Sequence, residues 1–371
     1  MEPISVLIKP ASGNCNLRCS YCFYYDTMAK REHASYGFMS EETLEAVIKQ
    51  ALDAAKYSCT FAFQGGEPTL CGLSFFEKAV ELERKFNKNK VRIFNALQTN
   101  GYSIDAAWAD FFVKNNFLVG VSLDGGPRQH DCCRKTPDGK GSFLRIMENI
   151  ALLQRKKVAF NILSVVNAYT APQIRKNYAF YKKNGLSYLQ FIACLDPLGE
   201  KPGQRDYSLS PAVYGTFLIQ LFDLWYQDLQ QGRQPFIRQF ENYIAILLGQ
   251  MPESCDMRGV CGKQYVVEAD GAVYPCDFYV LDGYQLGNFR DHTVAELDAA
   301  REKMDFIERS RKKAAACKTC RYAFLCRGGC RRTRLEAEEN RQYFCESYRM
   351  FFDARLQQLE YIASRLRESK F

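Results

Sequence analysis

The sequence has 371 residues, 47% of them hydrophobic and 25% charged, with a formal charge of +8; such a chain can bury one large core and a smaller one, and it is too apolar to stay disordered. Lys and Arg are interspersed with acids, and the longest apolar runs, such as 117–123, fall well short of the ~18 residues of a membrane span, so neither a nucleic-acid partner nor a membrane is expected. Sixteen cysteines with no secretory signal at the start (Met1-Glu2-Pro3) place the protein in the cytoplasm and favour metal or redox chemistry over a disulfide framework.

In chain order, strand-like runs at 5–9, 59–64, 91–99, 117–123, 158–166 and 188–193 alternate with helix-like runs near 41–56, 74–88, 105–115, 142–156, 172–184 and 212–230. Alternation of this kind means parallel βαβ units with right-handed crossovers. The fold class is therefore α/β, and six units resemble a partial, open (β/α)6 version of the eight-unit TIM barrel. Residues 1–235 are assigned to this domain. Beyond about residue 250, cysteines, glycines and short turns replace the alternation, and a second, Cys-rich domain is assigned to 236–371. It ends in an amphipathic helix, with Phe352, Leu356, Leu359 and Leu366 at helical spacing, that packs as a lid or brace.

In such folds the loops after the strands gather at one face, and chemistry sits there. Four unusual stretches fall at those positions: CNLRCSYC (15–22) after the first strand, GGEP (65–68) after the second, Gln98-Thr99-Asn100 ending the third, and Ser122-Leu123-Asp124 ending the fourth. All are expected at one mouth.

Cys15, Cys19 and Cys22 offer three soft thiolates with no histidine before His33. Soft ligands select zinc, copper(I) or iron-sulfur clusters. A structural zinc site wants four closed ligands, whereas three thiolates on a four-iron cube leave one iron open, as a catalytic site requires. The cluster is the leading reading, with zinc and unliganded cysteines as alternatives. In GGEP, Gly65 and Gly66 let backbone approach a ligand closely and Glu67 adds negative charge beside it. The same tetrapeptide also suits an ordinary turn.

Eight cysteines follow: Cys255, Cys261, Cys276, Cys317, Cys320, Cys326, Cys330 and Cys345. Eight is twice four. Two further clusters or two zinc sites fit that count. If thiolates hold three clusters in all, roughly five net negative charges come with them and about +3 remains. Of the other cysteines Cys59 begins an apolar strand and is expected in the core, while adjacent Cys132 and Cys133 have no assigned role.

CxxxCxxC after the first strand, with Tyr21 before its third cysteine and GGEP after the second strand, resembles the radical S-adenosylmethionine enzymes. That resemblance implies a cluster on Cys15, Cys19 and Cys22 whose open iron chelates S-adenosylmethionine and cleaves it to a deoxyadenosyl radical. It also implies cofactor contacts at Tyr21, Gly65, Gly66, Glu67, Ser122 and Leu195. The C-terminal stretch resembles the SPASM extension: Cys261, Gly271 and Cys276 fit C-x9-G-x4-C, followed by C-x2-C-x5-C-x3-C and a last lone cysteine. Carried over, Cys255, Cys261, Cys276 and Cys330 hold one auxiliary 4Fe-4S cluster and Cys317, Cys320, Cys326 and Cys345 another, three clusters in total.

Within that group LIKPASGNCNLRCSYCFY, FAFQGGEPTL, LQTNG, LQFIACLDPL and VVEADGAVYPCDFYVLD are similar to anaerobic sulfatase-maturating enzymes, which oxidise a Cys or Ser of a client sulfatase, in a C/S-x-P/A-x-R motif, to formylglycine. The similarity implies Asp277 as the base that takes the thiol or hydroxyl proton, Tyr24 and Gln64 as residues that position the substrate, and an electron donor such as flavodoxin or ferredoxin. With the first strand expected from residue 5, a client recognised by its own short motif is expected rather than one bound through an N-terminal leader-binding domain. A thioether- or crosslink-forming peptide enzyme is the alternative with the same chemistry; a non-catalytic zinc or iron-sulfur module is the alternative of another class.

Overall fold

The structure, a computed structural model, describes residues 3–368. The six apolar runs become β1 (Ile4–Ile8), β2 (Ser58–Phe63), β3 (Arg92–Thr99), β4 (Leu118–Ser122), β5 (Phe160–Val166) and β6 (Tyr188–Ala193), within two residues of the expected bounds. Between and after them lie α1 (Phe23–Ala29), α2 (Glu41–Ala54), α3 (Leu73–Phe86), α4 (Ala106–Lys114), α5 (Phe143–Arg155), α6 (Ile174–Lys183) and α7 (Pro211–Gln230). Helix α1 was not expected, because seven aromatic-rich residues carry no apolar period long enough to read. Helices α2, α4 and α7 start on the side-chain caps Ser40, Asp105 and Ser210. In α2 the Ser40 side chain accepts from the Thr43 N–H, Glu41 and Glu42 occupy the first turn, and Leu44, Val47, Ile48 and Ala51 form the buried stripe.

Contacts divide the chain into two compact units, each built from separated segments: the first from 1–123, 130–161 and 263–305, the second from 124–129, 162–262 and 306–371. In the first unit β1, β2, β3 and β4 run parallel in that spatial order. On the other edge of β1 lies β8 (Tyr265–Val267), also parallel, and then β9 (Ala272–Tyr274) and β10 (Gly287–Asn288), both antiparallel. The strand pair from the Cys-rich stretch thus extends the same sheet as the N-terminal strand. Cys59, Phe61 and Phe63 alternate into a core where Phe63 meets Phe76 at 5.0 Å and Phe76 meets Trp108 at 5.2 Å between ring centroids.

The second unit contains β5, β6 and the short β7 (Phe236–Ile237), all parallel, with α8 (Arg238–Leu247) and the last helix α10 (Cys345–Glu368). The expected C-terminal helix is present and braces α7: Arg355 forms a forked pair with Asp223 (2.6 and 2.8 Å), and Ser347 Oγ donates to the Pro211 carbonyl (2.6 Å). Its apolar face is not quite the one expected. Phe351, Phe352, Leu359 and Ala363 are buried, whereas Leu366 is 40% exposed. Among the described residues no helix is long and apolar enough to cross a membrane.

Candidate active site

Sheet register builds the site. Ile8 pairs with Phe63 on one side and Val267 on the other, and Phe63 pairs with Leu97. The next residue on each strand is therefore Glu268, Lys9, Gln64 and Gln98, a polar row where four parallel strands end. A charged side chain there is buried only if paired. Lys9 is 3% exposed and Glu268 0%. Lys9 Nζ lies 3.7 Å from Glu268 Oε1, and Arg31, just beyond α1, places Nη1 2.7 Å from the same oxygen. Burial opposes the charge on Glu268, yet Lys9 and Arg31 outweigh it and hold the carboxyl below its usual range.

Asp277 completes the cluster from the turn after Cys276. Its Oδ2 accepts from the Tyr24 hydroxyl at 2.5 Å and from Gln64 Nε2 at 3.3 Å, and Gln64 also donates to the Tyr24 oxygen at 2.7 Å. The other oxygen, Oδ1, is buried without a hydrogen-bond partner, 3.8 Å from Lys9 Nζ. One oxygen of the carboxyl is thus clamped, and the other makes no hydrogen bond and pairs with Lys9. Burial raises the Asp277 carboxyl above its usual range, against the pull of Lys9 and Tyr24. Burial and then the Asp277 charge push the Tyr24 phenol well up, so Tyr24 serves as a neutral donor. Lys9 also sits 4.1 Å over the Tyr24 ring.

The cysteine loop is tied to the same strand ends. Gly66, at φ +56°, lies so close to the loop that a Cβ would come 2.3 Å from the Asn14 carbonyl oxygen; no larger residue fits. Glu67 is also tied into its own chain. Its oxygens accept from the Thr69 N–H and hydroxyl, the Thr99 hydroxyl and the Asn100 N–H, at 2.7–3.1 Å, so it cross-braces the ends of β2 and β3 and spends its acceptors inside the chain. Asn100 carries that brace onward to Asn16 Oδ1 (2.7 Å) and Cys15 Sγ (3.7 Å). Arg134 Nη1 donates to Cys19 Sγ (3.8 Å) and its guanidinium lies 5.4 Å over the Tyr21 ring. Ser122 accepts from Gln98 Nε2 at 3.3 Å. Leu195 lies half-buried in the second unit, after β6.

Burial pushes the Cys15 thiol up to about 11; a metal supplies the charge that holds such a thiol ionised. Cys15, Cys19 and Cys22 are all partly exposed at the mouth. Among the described residues no group of three His, Cys, Asp or Glu closes around a single point as ligands of one ion do. Three soft donors spread along one loop fit the separate corners of a cluster.

In the second unit the remaining thiols fall into two electrostatic groups. Cys330, pushed up to about 12 by burial, feels Cys255 and Cys261; Cys326, pushed up to about 11, feels Cys345, Cys317 and Cys320. Cys276 belongs to the first unit. Cys59 is buried as expected. The sulfurs of Cys132 and Cys133 lie 3.4 Å apart.

Sequence reasoning missed Lys9, Arg31, Glu268 and Arg134. The legible signal was a charged residue one step beyond an apolar strand, in LIKP and VVEA.

A parallel βα scaffold whose first strand feeds a three-cysteine loop, followed by a thiol-rich extension, defines a radical S-adenosylmethionine enzyme of the SPASM type. The sequence model of the Radical SAM superfamily matches residues 10–174, and that of an iron-sulfur cluster-binding domain, SPASM, matches 255–321. The chain belongs to the anaerobic sulfatase-maturating enzymes. It is 47% identical to the cysteine-type anaerobic sulfatase-maturating enzyme of Clostridium novyi over 99% of both chains. To the serine-type enzyme of Bacteroides thetaiotaomicron it is 33% identical over 95% of this chain and 89% of that one. A solved structure described as native anSMEcpe with bound AdoMet and Cp18Cys peptide superposes with a TM-score of 0.93 at 46% identity, covering 98% of this chain and 100% of the other.

Proposed function

We propose that this chain oxidises a cysteine in a Cys-x-Pro-x-Arg segment of a client sulfatase to formylglycine. The observation that carries the reading is the Asp277 carboxyl, clamped through one oxygen by Tyr24 and Gln64 and making no hydrogen bond at the other, beside a loop of three cysteines. Cys15, Cys19 and Cys22 would hold a 4Fe-4S cluster; Tyr21, the Gly65-Gly66 backbone, Glu67 and Ser122 would face S-adenosylmethionine. The C-terminal cysteines would hold two auxiliary clusters, three in all, in a domain running from about residue 236.

When bound, these groups supply the hydrogen-atom acceptor and the electron acceptor. The chain supplies the proton step. Asp277 Oδ1 takes the thiol proton as hydrogen leaves the β-carbon, while Tyr24 and Gln64 stop the carboxylate from rotating, and Lys9 balances the charge beside it. The resulting thioaldehyde hydrolyses to the aldehyde and hydrogen sulfide. Flavodoxin or ferredoxin would deliver the reducing electron.

Cysteine is favoured over serine because relatives named cysteine-type are 46–47% identical and those named serine-type 32–33%. The test is mass spectrometry of Cys- and Ser-containing peptides after anaerobic incubation with reconstituted protein, S-adenosylmethionine and reductant. An aldehyde on the Cys peptide supports the reading. Unmodified peptide despite cofactor cleavage, or a thioether or crosslink instead, overturns it.

A further inference from the structure

Arg334 lies in the second unit, four residues after Cys330, and is 7% exposed. A guanidinium has five N–H donors and no acceptor. Here Nε donates to the Gly328 carbonyl (2.9 Å), Nη1 to those of Ser310 (2.5 Å) and Lys312 (2.8 Å), and Nη2 to those of Gly259 (3.0 Å) and Gly329 (2.7 Å). Gly259, Gly328 and Gly329 have φ between +61° and +79°, backbone that favours glycine, and this helps to turn three of those carbonyls onto the side chain. The acceptors carry no charge. All five donors are used and the unit positive charge is left over.

The carbonyls it holds flank thiols of both groups, since Gly259 lies two residues before Cys261 and Gly328-Gly329 lie between Cys326 and Cys330, and the charge interacts with Cys330, Cys261, Cys317 and Cys326. Two four-iron clusters, each with four thiolates, would put about four negative charges around it. A cation at that place stabilises the reduced, more negative form of a cluster, and net charge and hydrogen bonding are what set such potentials.

We propose that Arg334 is an electrostatic bridge between the two auxiliary cysteine groups, a positioning residue whose uncompensated charge raises the reduction potential of the clusters they hold so that they accept the electron released in the reaction. The same five hydrogen bonds gather the 259, 310–312 and 328–329 loops, so the fork also holds the ligands in place. This inference rests on the two-cluster assignment above.

The experiment is an anaerobic potential titration followed by electron paramagnetic resonance, on full-length protein with Cys15, Cys19 and Cys22 each replaced by Ala so that only the auxiliary groups hold iron. Iron analysis of that parent tests the assignment separately: about eight irons per chain supports two clusters, and about four refutes that assignment, in which case Arg334 is judged on the cluster that remains. Arg334→Gln is expected to shift the reduction equilibrium about tenfold toward the oxidised form, which is ~59 mV for a one-electron couple. Arg334→Lys, a point charge without the fork, is expected to stay within about threefold of the parent. Parental iron content with unchanged potentials in Arg334→Gln, or an equal shift in both variants, overturns the proposal. If Arg334→Gln loses its iron, Arg334→Lys decides: retained iron near the parental potential supports the role of the charge, and lost iron or a large shift refutes it.

Discussion

Asp277 illustrates how one residue receives a role from its neighbours. Two donors on Oδ2 fix the carboxyl plane, and an Oδ1 without a hydrogen-bond partner leaves one place for an incoming proton. Asparagine keeps the shape and cannot take that proton. Asp277→Asn is therefore expected to lower aldehyde formation at least about 10²-fold while cleavage of S-adenosylmethionine continues, a split read by mass spectrometry and chromatography on the same samples. If the product forms at the parental rate, another group is the base. Glu67 is held by its own chain in the same way: four donors fix a carboxylate that the sequence places beside the cofactor motif. Its charge helps to set the geometry of the mouth.

At the scale of an element, α3 carries a buried acid toward β3. Glu83 receives one hydrogen bond, from Asn95 Nδ2 at 2.9 Å, and burial pushes its carboxyl up to about 7. The folded protein then keeps a proton that the unfolded chain releases near pH 4.5, so stability falls as pH rises from about 4.5 to 7, by up to about 3 kcal/mol. Glu83→Gln should raise the melting temperature at pH 8 and change it little at pH 5. An equal shift at both values would contradict the assignment. The turn after β2 is as sensitive in another way. Gly66→Ala must force its Cβ against the Asn14 carbonyl or move the loop that carries Cys15, at a cost of about 1–3 kcal/mol in backbone strain alone. We expect lower iron occupancy at Cys15, Cys19 and Cys22 with the auxiliary iron retained; full occupancy would mean the loop adapts freely.

Across the whole molecule the thiols act together. Burial pushes Cys15, Cys326 and Cys330 up to about 11–12, so in metal-free protein they are neutral at pH 7. Iron-sulfur assembly must release their protons, and its binding energy adds to folding. Reconstitution under anaerobic conditions is expected to acidify a weakly buffered solution by several protons per chain and to raise the melting temperature; chelation should reverse the temperature shift. A melting temperature independent of iron would show that the cysteine loops hold their shape unaided, with packing such as that of α10 on α7 sufficient for stability.

Much of this protein was written locally in its sequence. Alternation of apolar runs with helical stripes specified six βα units, because side-chain period is a property of a few consecutive residues. The spacing of Cys15, Cys19 and Cys22 specified a soft-donor loop for the same reason. Leu366 escaped that reading: its period is helical, yet the folded chain leaves it 40% exposed. The charged centre was beyond it altogether. Tyr24 and Asp277 stand 253 residues apart, and Lys9 meets Glu268 only because β8 returns to lie parallel beside β1 in one register. Pairing between distant strands is settled by the packing of the complete sheet, so the sequence, through its family resemblance, pointed to Asp277, while the tertiary structure supplied the cations and the hydrogen bonds around it.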